Sequence, residues 1–216
     1  MSLKTNIAAI RKNYAMQSLS EDTVLTMPIE QFKVWLHEAI DAEVIEPTAM
    51  VVSTVNASGR PSARVLLLKE VNENGFVFFT NYKSRKGQDL EVNPFASITF
   101  FWPALERQVR IEGMVQQVDA AVSDAYFHSR PVGSQIGAWA SPQSKEIESR
   151  TLLEEADEKY TAQFKDVAVI PRPLHWGGYQ LIPDMIEFWQ GRPNRLHDRI
   201  AYELQENVWL KKRLAP

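Results

Sequence analysis

Apolar residues near the start of the chain recur at helical spacing, and from residue 49 onward they alternate with polar ones. Phe32, Leu36 and Ile40, with Trp35 and Ala39 beside them, form one face of a helix whose first turn suits Pro28. Glu30, Lys33 and Glu38 take the other side. Upstream, residues 1–25 mix charge and polarity, with Arg11, Lys12, Asn13 and Tyr14 the dense spot, and read as a partly mobile N-terminal arm. Between 49 and 119 the period is that of strands, at 50–55, 62–70, 76–80, 96–102 and 108–118. Asn56-Ala57-Ser58-Gly59 and Asn72-Glu73-Asn74-Gly75 are turn sequences that tolerate positive φ, so these strands are expected to pair as antiparallel hairpins. Helical spacing returns at 120–127 and 146–164, the second with Leu152, Ala156, Tyr160 and Phe164 at i, i+4. Strands resume at 178–182, 185–190, 199–204 and 208–213.

Strands outnumber helices and come in hairpin runs, not in β-α-β alternation. The pattern predicts a mainly β fold with α: an antiparallel, closed or nearly closed barrel with peripheral helices, built as a single domain over residues 26–216. Composition narrows the chemistry. The 24 Lys and Arg against 27 Asp and Glu give a formal charge of −3, which speaks against a whole-surface nucleic-acid footprint. With no cysteine there are no disulfides, thiolate metal sites or cysteine nucleophile, in keeping with a reducing compartment. His37, His128, His175 and His197 form no zinc-type pair, so no metal is expected. The N-terminus lacks a signal-peptide pattern and no segment is apolar enough to span a bilayer, so a cytoplasmic protein without a membrane partner is expected. Neither G-x-G-x-x-G nor G-x-x-x-x-G-K-[ST] occurs, and G-x-S-x-G is missing, which removes support for Rossmann, P-loop and common serine-hydrolase sites.

Several stretches concentrate groups suited to anions. Arg64 to Lys69 is a strand with cationic ends around an apolar middle, Arg64 and Leu66 facing one way and Lys69 the other. Ser84 is a plausible helix N-cap, which puts Arg85 and Lys86 in a first turn where the dipole disfavours cations; a bound phosphate would remove the conflict. Tyr126 and Arg130 stand four apart where a helix ends in a loop, with Ser134 beyond the Gly133 turn, as a second potential phosphate cradle. Gln143 and Ser144 are read at the start of the long helix, a position suited to a cap or an anion. Residues 187–199 pack Arg192, Arg195, Arg199, His197 and Trp189 around a Gly/Pro turn, an anion or flat-ring site or else a solvated hairpin; Arg192 has no assignable role. Two phosphate sites beside an aromatic and cationic loop suit a ligand set with two phosphates and two flat rings, so that any chemistry belongs to a cofactor.

These residues resemble the pyridoxamine 5′-phosphate oxidase family. The resemblance runs from about Arg11 to Pro216 and rests on Arg64 through Lys69, Ser84-Arg85-Lys86, Glu106-Arg107-Gln108-Val109, Tyr126 through Pro131, Ser134 through Trp139, Trp189-Gln190-Gly191 and Arg195 through Arg199. It implies an FMN-binding split β-barrel homodimer with FMN at the subunit interface. FMN contacts are implied for Arg64, Val65, Leu66, Leu67, Leu68, Lys69, Thr80, Arg85, Lys86, Gln108, Gln143, Ser144, Trp189 and Arg199. The resemblance also implies that Phe79 stands beside the flavin, where many relatives have a tyrosine, and that one hydroxyl contact is lost. The substrate phosphate would be held by Lys69, Tyr126, Arg130 and Ser134. Arg195 and His197, flanking Leu196, would lie over the pyridine ring as the catalytic pair, and Arg11, Lys12, Asn13 and Tyr14 would close over the substrate. The implied reaction oxidises pyridoxamine or pyridoxine 5′-phosphate to pyridoxal 5′-phosphate, the last step of vitamin B6 cofactor synthesis and salvage. Hydride passes to flavin N5, O2 reoxidises the flavin to give hydrogen peroxide, and the amine substrate also yields ammonia. A flavin reductase on the same fold would not need Tyr126, Arg130, Ser134 and Arg195 together. A non-catalytic binder of FMN or pyridoxal phosphate, or a basic-groove nucleic-acid module, is the rival from another class.

Overall fold

The computed structural model describes residues 13–216, and Arg11 and Lys12 lie outside the described residues. Pro28 opens α1 (Pro28–Asp41), where its missing N–H leaves no helical bond unmade. The buried stripe is Ile29, Phe32, Trp35 and Ala39, while Ile40, expected on that face, is 49% exposed. At 3.6 residues per turn, position i+7 returns to within about 20° of i, whereas i+8 drifts by about 80°. Ala39 therefore stays under Phe32 and Ile40 rotates out.

The two turn sequences close the expected hairpins. β1 (Ala49–Val55) pairs antiparallel with β2 (Pro61–Leu67), Val55 opposite Pro61, and β3 (Glu70–Asn72) with β4 (Gly75–Asn81), Asn72 opposite Gly75. The Asn56 side-chain oxygen accepts the N–H groups of Ser58 and Arg60, both at 3.0 Å, which fixes the first turn. The strand expected over 62–70 ends at Leu67 instead: the Leu68 N–H turns to the Thr48 carbonyl and the Lys69 N–H to that of Val77, each at 2.9 Å. Ser84 caps α2 (Arg85–Val92) as expected, its hydroxyl accepting the Gly87 N–H. β5 (Phe95–Trp102) and β6 (Arg107–Gln117) follow, then α3 (Ala120–Ser129), α4 (Val132–Ala140) and α5 (Thr151–Phe164).

Three further expectations fail. Pro131-Val132-Gly133 reads as loop, yet the Pro131 carbonyl accepts the Ser134 and Gln135 N–H groups and starts α4. The long helix begins at Thr151 and not at residue 146, so Ser144 is no cap for it and sits at φ 68 in the preceding loop. β7 (Trp176–Gln190) runs unbroken through Pro183, where two strands were expected. Gly113 on β6 explains the continuity, since a Cβ there would stand 2.0 Å from the Ile182 carbonyl oxygen and block the approach of the β7 backbone. β8 (Asp198–Gln205) and β9 (Val208–Leu214) complete the sheet.

Hydrogen bonding orders the strands β2-β1-β5-β6-β7-β4-β3, with β8 beside β7 and β9 beside β8. The chain clusters into two compact units. One comprises the N-terminal part up to Pro47, Thr99–Ile111 and Met185–Pro216, and the other Thr48–Ile98 and Glu112–Asp184. The first unit is cored by aromatic pairs: Phe32 with Phe100 at 4.9 Å, Trp35 with Phe188 at 5.1 Å, and Phe188 with Tyr202 at 5.7 Å between ring centroids. Its residues 13–27 carry no regular structure but bury Leu19 and Val24. The second unit buries Phe127, Ile136, Phe164, Ile170 and Trp176 together where α3, α4 and α5 meet. Among the described residues, no helix is long and apolar enough to cross a membrane.

Candidate functional site

In the second unit the strand–helix junction around Ser84 gathers cations with too few anions. Lys86 is 6% exposed, and its ammonium donates to three neutral oxygens: Thr80 Oγ1 at 3.0 Å, Ser84 Oγ at 3.3 Å and Gln143 Oε1 at 3.3 Å. Burial, and then the charge of Arg64, push its pKa down to about 8. Arg64 projects from β2 toward β1. Its Nη1 donates to Thr54 Oγ1 at 2.8 Å and its Nη2 to Ser62 Oγ at 2.6 Å, with the Asp89 carboxylate 3.9 Å away. Burial lowers the pKa of Arg64 too, opposed by Asp89 and assisted by exposed Arg85. Among the described residues, three cations thus face one carboxylate, an arrangement suited to a dianion. Thr54, Ser62 and Asp89 were not singled out in the sequence, because nothing local marks the hydroxyls or the carboxylate that serve Arg64 from β1, β2 and α2.

Around this group Thr80 is buried on β4, Gln143 reaches it from the loop after α4, and Ser144 is exposed in that loop. Along β2, Leu66 is half-buried while Val65 and Leu67 point to solvent, the alternation expected; Leu68 is buried. Lys69, on the link to β3, is exposed, and its side chain makes no hydrogen bond or ion pair with a described residue.

A second group forms where α3 ends. Phe79 stacks on Tyr126 with ring centroids 3.9 Å apart, and Tyr126 is parallel to Trp176 at 6.2 Å. The Arg130 guanidinium lies 4.5 Å from the Trp176 ring centre, a cation–π contact. Its Nη1 is the buried side-chain polar atom, among the described residues, that has no hydrogen-bond partner. Burial lowers the pKa of Arg130, against the pull of neighbouring Tyr126. Tyr126 and Arg130 are therefore together, as expected. Ser134 is exposed in the first turn of α4. Trp176 went unnoticed in the sequence because its role depends on β7 passing beneath α3.

In the first unit, the end of β7 and the 3-10 turn at Pro193–Arg195 build an aromatic cluster. The Trp189 and His197 rings lie 4.6 Å apart, and Tyr14 sets its edge to both, at 5.8 and 5.9 Å. Asn13 beside it is exposed. The Arg192 N–H donates to His197 Nδ1 at 3.1 Å, which places the proton of the neutral imidazole on Nε2. Burial, and then the charge of Arg195, lower the pKa of His197 and favour that neutral form. Arg192 thereby gains a role, and its side chain also pairs with Asp198 at 3.3 Å. Asn194 and Arg195 both adopt left-handed backbone, φ 58 and 62, a strained pair that points Arg195 outward. Arg195 is exposed and makes no hydrogen bond or ion pair with a described residue, and Leu196 is 70% exposed. Arg199 is committed to Glu187 through two bonds, Nε–Oε1 2.8 Å and Nη2–Oε2 3.1 Å, and buried Glu187 also takes Arg110 at 3.2 Å. Gln108 is half-buried on β6.

Residues 36–163 match the family model described as pyridoxamine 5′-phosphate oxidase, more than half of the chain. The chain belongs to the pyridoxamine 5′-phosphate oxidase family. Residues 176–216 match the pyridoxine 5′-phosphate oxidase C-terminal dimerisation region. A pyridoxine/pyridoxamine 5′-phosphate oxidase of Cyanothece sp. is 56% identical over 211 residues, covering 98% of this chain and 99% of its own. One from Cytophaga hutchinsonii is 51% identical over 99% of this chain and 100% of its own. Among solved structures, PhzG from Burkholderia lata, bound to tetrahydrophenazine-1-carboxylic acid, has a TM-score of 0.88 at 32% identity, covering 95% of this chain and 100% of that one. A pyridoxamine 5′-phosphate oxidase-related, FMN-binding protein from Nostoc punctiforme has a TM-score of 0.69 at 18% identity, over 88% of this chain and 98% of that one, and shares the fold. The mainly β fold with peripheral helices is thus the split β-barrel type that the sequence led one to expect.

Proposed function

We propose that this protein is an FMN-dependent oxidase of pyridoxamine and pyridoxine 5′-phosphates, producing pyridoxal 5′-phosphate and, with O2, hydrogen peroxide. The observation that carries the reading is the buried Nη1 of Arg130, which has no hydrogen-bond partner among the described residues. A guanidinium nitrogen without a partner costs on the order of 1–3 kcal/mol or more, and a substrate phosphate beside Tyr126 would remove that cost. Near-full-length identity to pyridoxine/pyridoxamine 5′-phosphate oxidases supports the same substrates.

The residues present fit a phosphate-bearing flavin. Lys86 and Arg64 would hold the FMN phosphate, with Arg85 at the rim, and Thr80, Gln143 and Ser144 would complete the cradle. Trp189, Gln108, Arg199 and Phe79, with the backbone and apolar side chains of residues 64–69, would wall the rest of the cofactor. When bound, FMN supplies a two-electron acceptor that O2 restores, releasing hydrogen peroxide. The protein's contribution is position and charge. Lys69, Tyr126, Arg130 and Ser134 would anchor the substrate phosphate, and Arg195 would press the pyridine ring into a reactive arrangement. His197, neutral with its proton on Nε2, would donate a hydrogen bond to an acceptor on that ring. Leu196, Asn13 and Tyr14, with Arg11 and Lys12 from outside the described residues, would limit access of water.

A homodimer with FMN at the subunit interface is part of this reading. Val51 and Val65, opposite each other in the β1–β2 register, are 39% and 65% exposed, and Leu67 beside them is 38% exposed; a second copy would cover this apolar face. The chain would act as one FMN-binding domain in the cytoplasm, which the absence of cysteine supports. Adding pyridoxamine 5′-phosphate to the FMN-loaded protein in air should release hydrogen peroxide and pyridoxal 5′-phosphate. A yellow protein that releases neither would sink the proposal and favour a non-catalytic flavin binder.

A further inference from the structure

The turn between β5 and β6 holds Glu106 in left-handed backbone, φ 56, with 3% exposure. A glutamate there is doubly unfavourable, because glycine suits that φ and a carboxylate resists burial. What the carboxylate does accounts for its presence. Its Oε2 accepts the backbone N–H groups of Ala15 at 2.9 Å and Met16 at 3.1 Å, amides some 90 residues earlier in the chain. Its own carbonyl accepts the Gly191 N–H at 2.7 Å, at the end of the strand that bears Trp189. Arg107 works from the next position: it donates to Gln17 in the same N-terminal stretch, to Glu38 on α1, and to Gln190 Oε1 at 3.0 Å, and it lies 4.3 Å from the Trp35 ring centre. Tyr14, immediately before the clasped amides, presses so closely on Gly191 that a Cβ there would stand 2.8 Å from the tyrosine Cβ.

We propose that Glu106 and Arg107 form a clasp that fixes residues 14–17 so that the Tyr14 ring covers Trp189 and His197, making Glu106 a positioning residue for the substrate ring. The inference rests on the reading of Trp189 and His197 as ring-binding groups. The clasp itself does not depend on that reading. Arg107 sets the direction of the strap through Gln17, and Glu106 sets its height over the site by taking two consecutive amides on one oxygen. Loss of the carboxylate frees Tyr14 to leave the ring cluster, which weakens capture of substrate and leaves the transfer step and the flavin in place.

The test uses the FMN-loaded full chain as wild type, Glu106→Gly and Glu106→Gln. Glycine keeps the left-handed turn and deletes the carboxylate, and glutamine keeps one carbonyl acceptor. In substrate-free Glu106→Gly, amide exchange followed by mass spectrometry over residues 14–18 should quicken about tenfold, the effect of losing charge-assisted bonds. KM for pyridoxamine 5′-phosphate should rise about tenfold with kcat within about twofold and flavin absorbance retained, and Glu106→Gln should recover part of both changes. Wild-type exchange or wild-type KM in folded Glu106→Gly overturns the proposal. If that variant fails to keep FMN, Ala15→Pro removes one donor from the exposed side of the clasp; it must give the same rise in KM, and an unchanged KM overturns the proposal equally. A wild type that makes no peroxide refutes the oxidase reading instead, and the exchange comparison still decides the clasp.

Discussion

Replacing Lys86 by methionine separates a cation kept for a ligand from one kept for the fold. In the ligand-free protein the ammonium is 6% exposed and, among the described residues, meets only neutral oxygens of Thr80, Ser84 and Gln143, the nearest at 3.0 Å. Its pKa, down to about 8 from 10.5, records that burial disfavours the charge. Methionine fills similar space without that cost, so the ligand-free variant should be at least as stable in urea as the wild type, to within about 1 kcal/mol. FMN affinity should move the other way. A charge-assisted bond to phosphate is worth about 1.5–3 kcal/mol, which is a roughly 10- to 150-fold weaker Kd in flavin-fluorescence titration at pH 7. The sign with pH follows from the same group. Between about 8 and 10.5 the unfolded chain holds the Lys86 proton more firmly than the folded one, so this residue's contribution to ligand-free stability rises with pH. FMN needs the ammonium, so wild-type Kd should rise above pH 8, approaching tenfold per unit, while Lys86→Met stays flat. A variant that unfolds more readily yet binds FMN like the wild type would refute the reasoning, and so would a wild-type Kd constant from pH 7 to 9.5.

Arg130→Ala should raise KM for pyridoxamine 5′-phosphate about 10- to 100-fold with flavin absorbance unchanged, because the lost group binds the substrate phosphate; equal KM values would remove Arg130 from the site. Arg195→Ala should lower kcat far more than it weakens FMN binding, read as the rate of flavin reduction in a stopped-flow experiment, and an unaltered rate would rule out its part in ordering the ring. Gly191→Ala drives a methyl to 2.8 Å from Tyr14 and 3.0 Å from the Glu106 side chain, which should cost about 1–3 kcal/mol in urea denaturation; a wild-type midpoint would show that the strap yields freely.

Elements whose signals are local were legible. The Asn56–Gly59 and Asn72–Gly75 turns closed the hairpins they suggested, Ser84 capped its helix, and the period of β2 put Arg64 and Leu66 on one face. The conflict of Arg85 and Lys86 with a helix dipole marked the junction where Arg64 and Lys86 are brought together. What was missed depends on distant partners. α4 forms behind a Pro131-Val132-Gly133 start that reads as loop, its amides taken up by the Pro131 carbonyl and its Ile136 and Ala138 buried against Phe164 and Trp176. β7 survives Pro183 because a glycine on the neighbouring strand lets the backbones close. Asp89 behind Arg64, Trp176 under Arg130 and Glu187 behind Arg199 each serve an arginine from a separate element, and no spacing in the chain announces such pairs. The positive φ of Glu106 and Arg195 is likewise invisible in residue types that do not favour it.

The decisive measurement is the visible spectrum of the purified, FMN-loaded protein during anaerobic addition of pyridoxamine 5′-phosphate. Flavin absorbance should bleach in proportion to substrate and return when air is admitted, with pyridoxal 5′-phosphate formed in equal amount. A flavin band that persists under saturating substrate would contradict the assignment of this protein as a pyridoxamine 5′-phosphate oxidase.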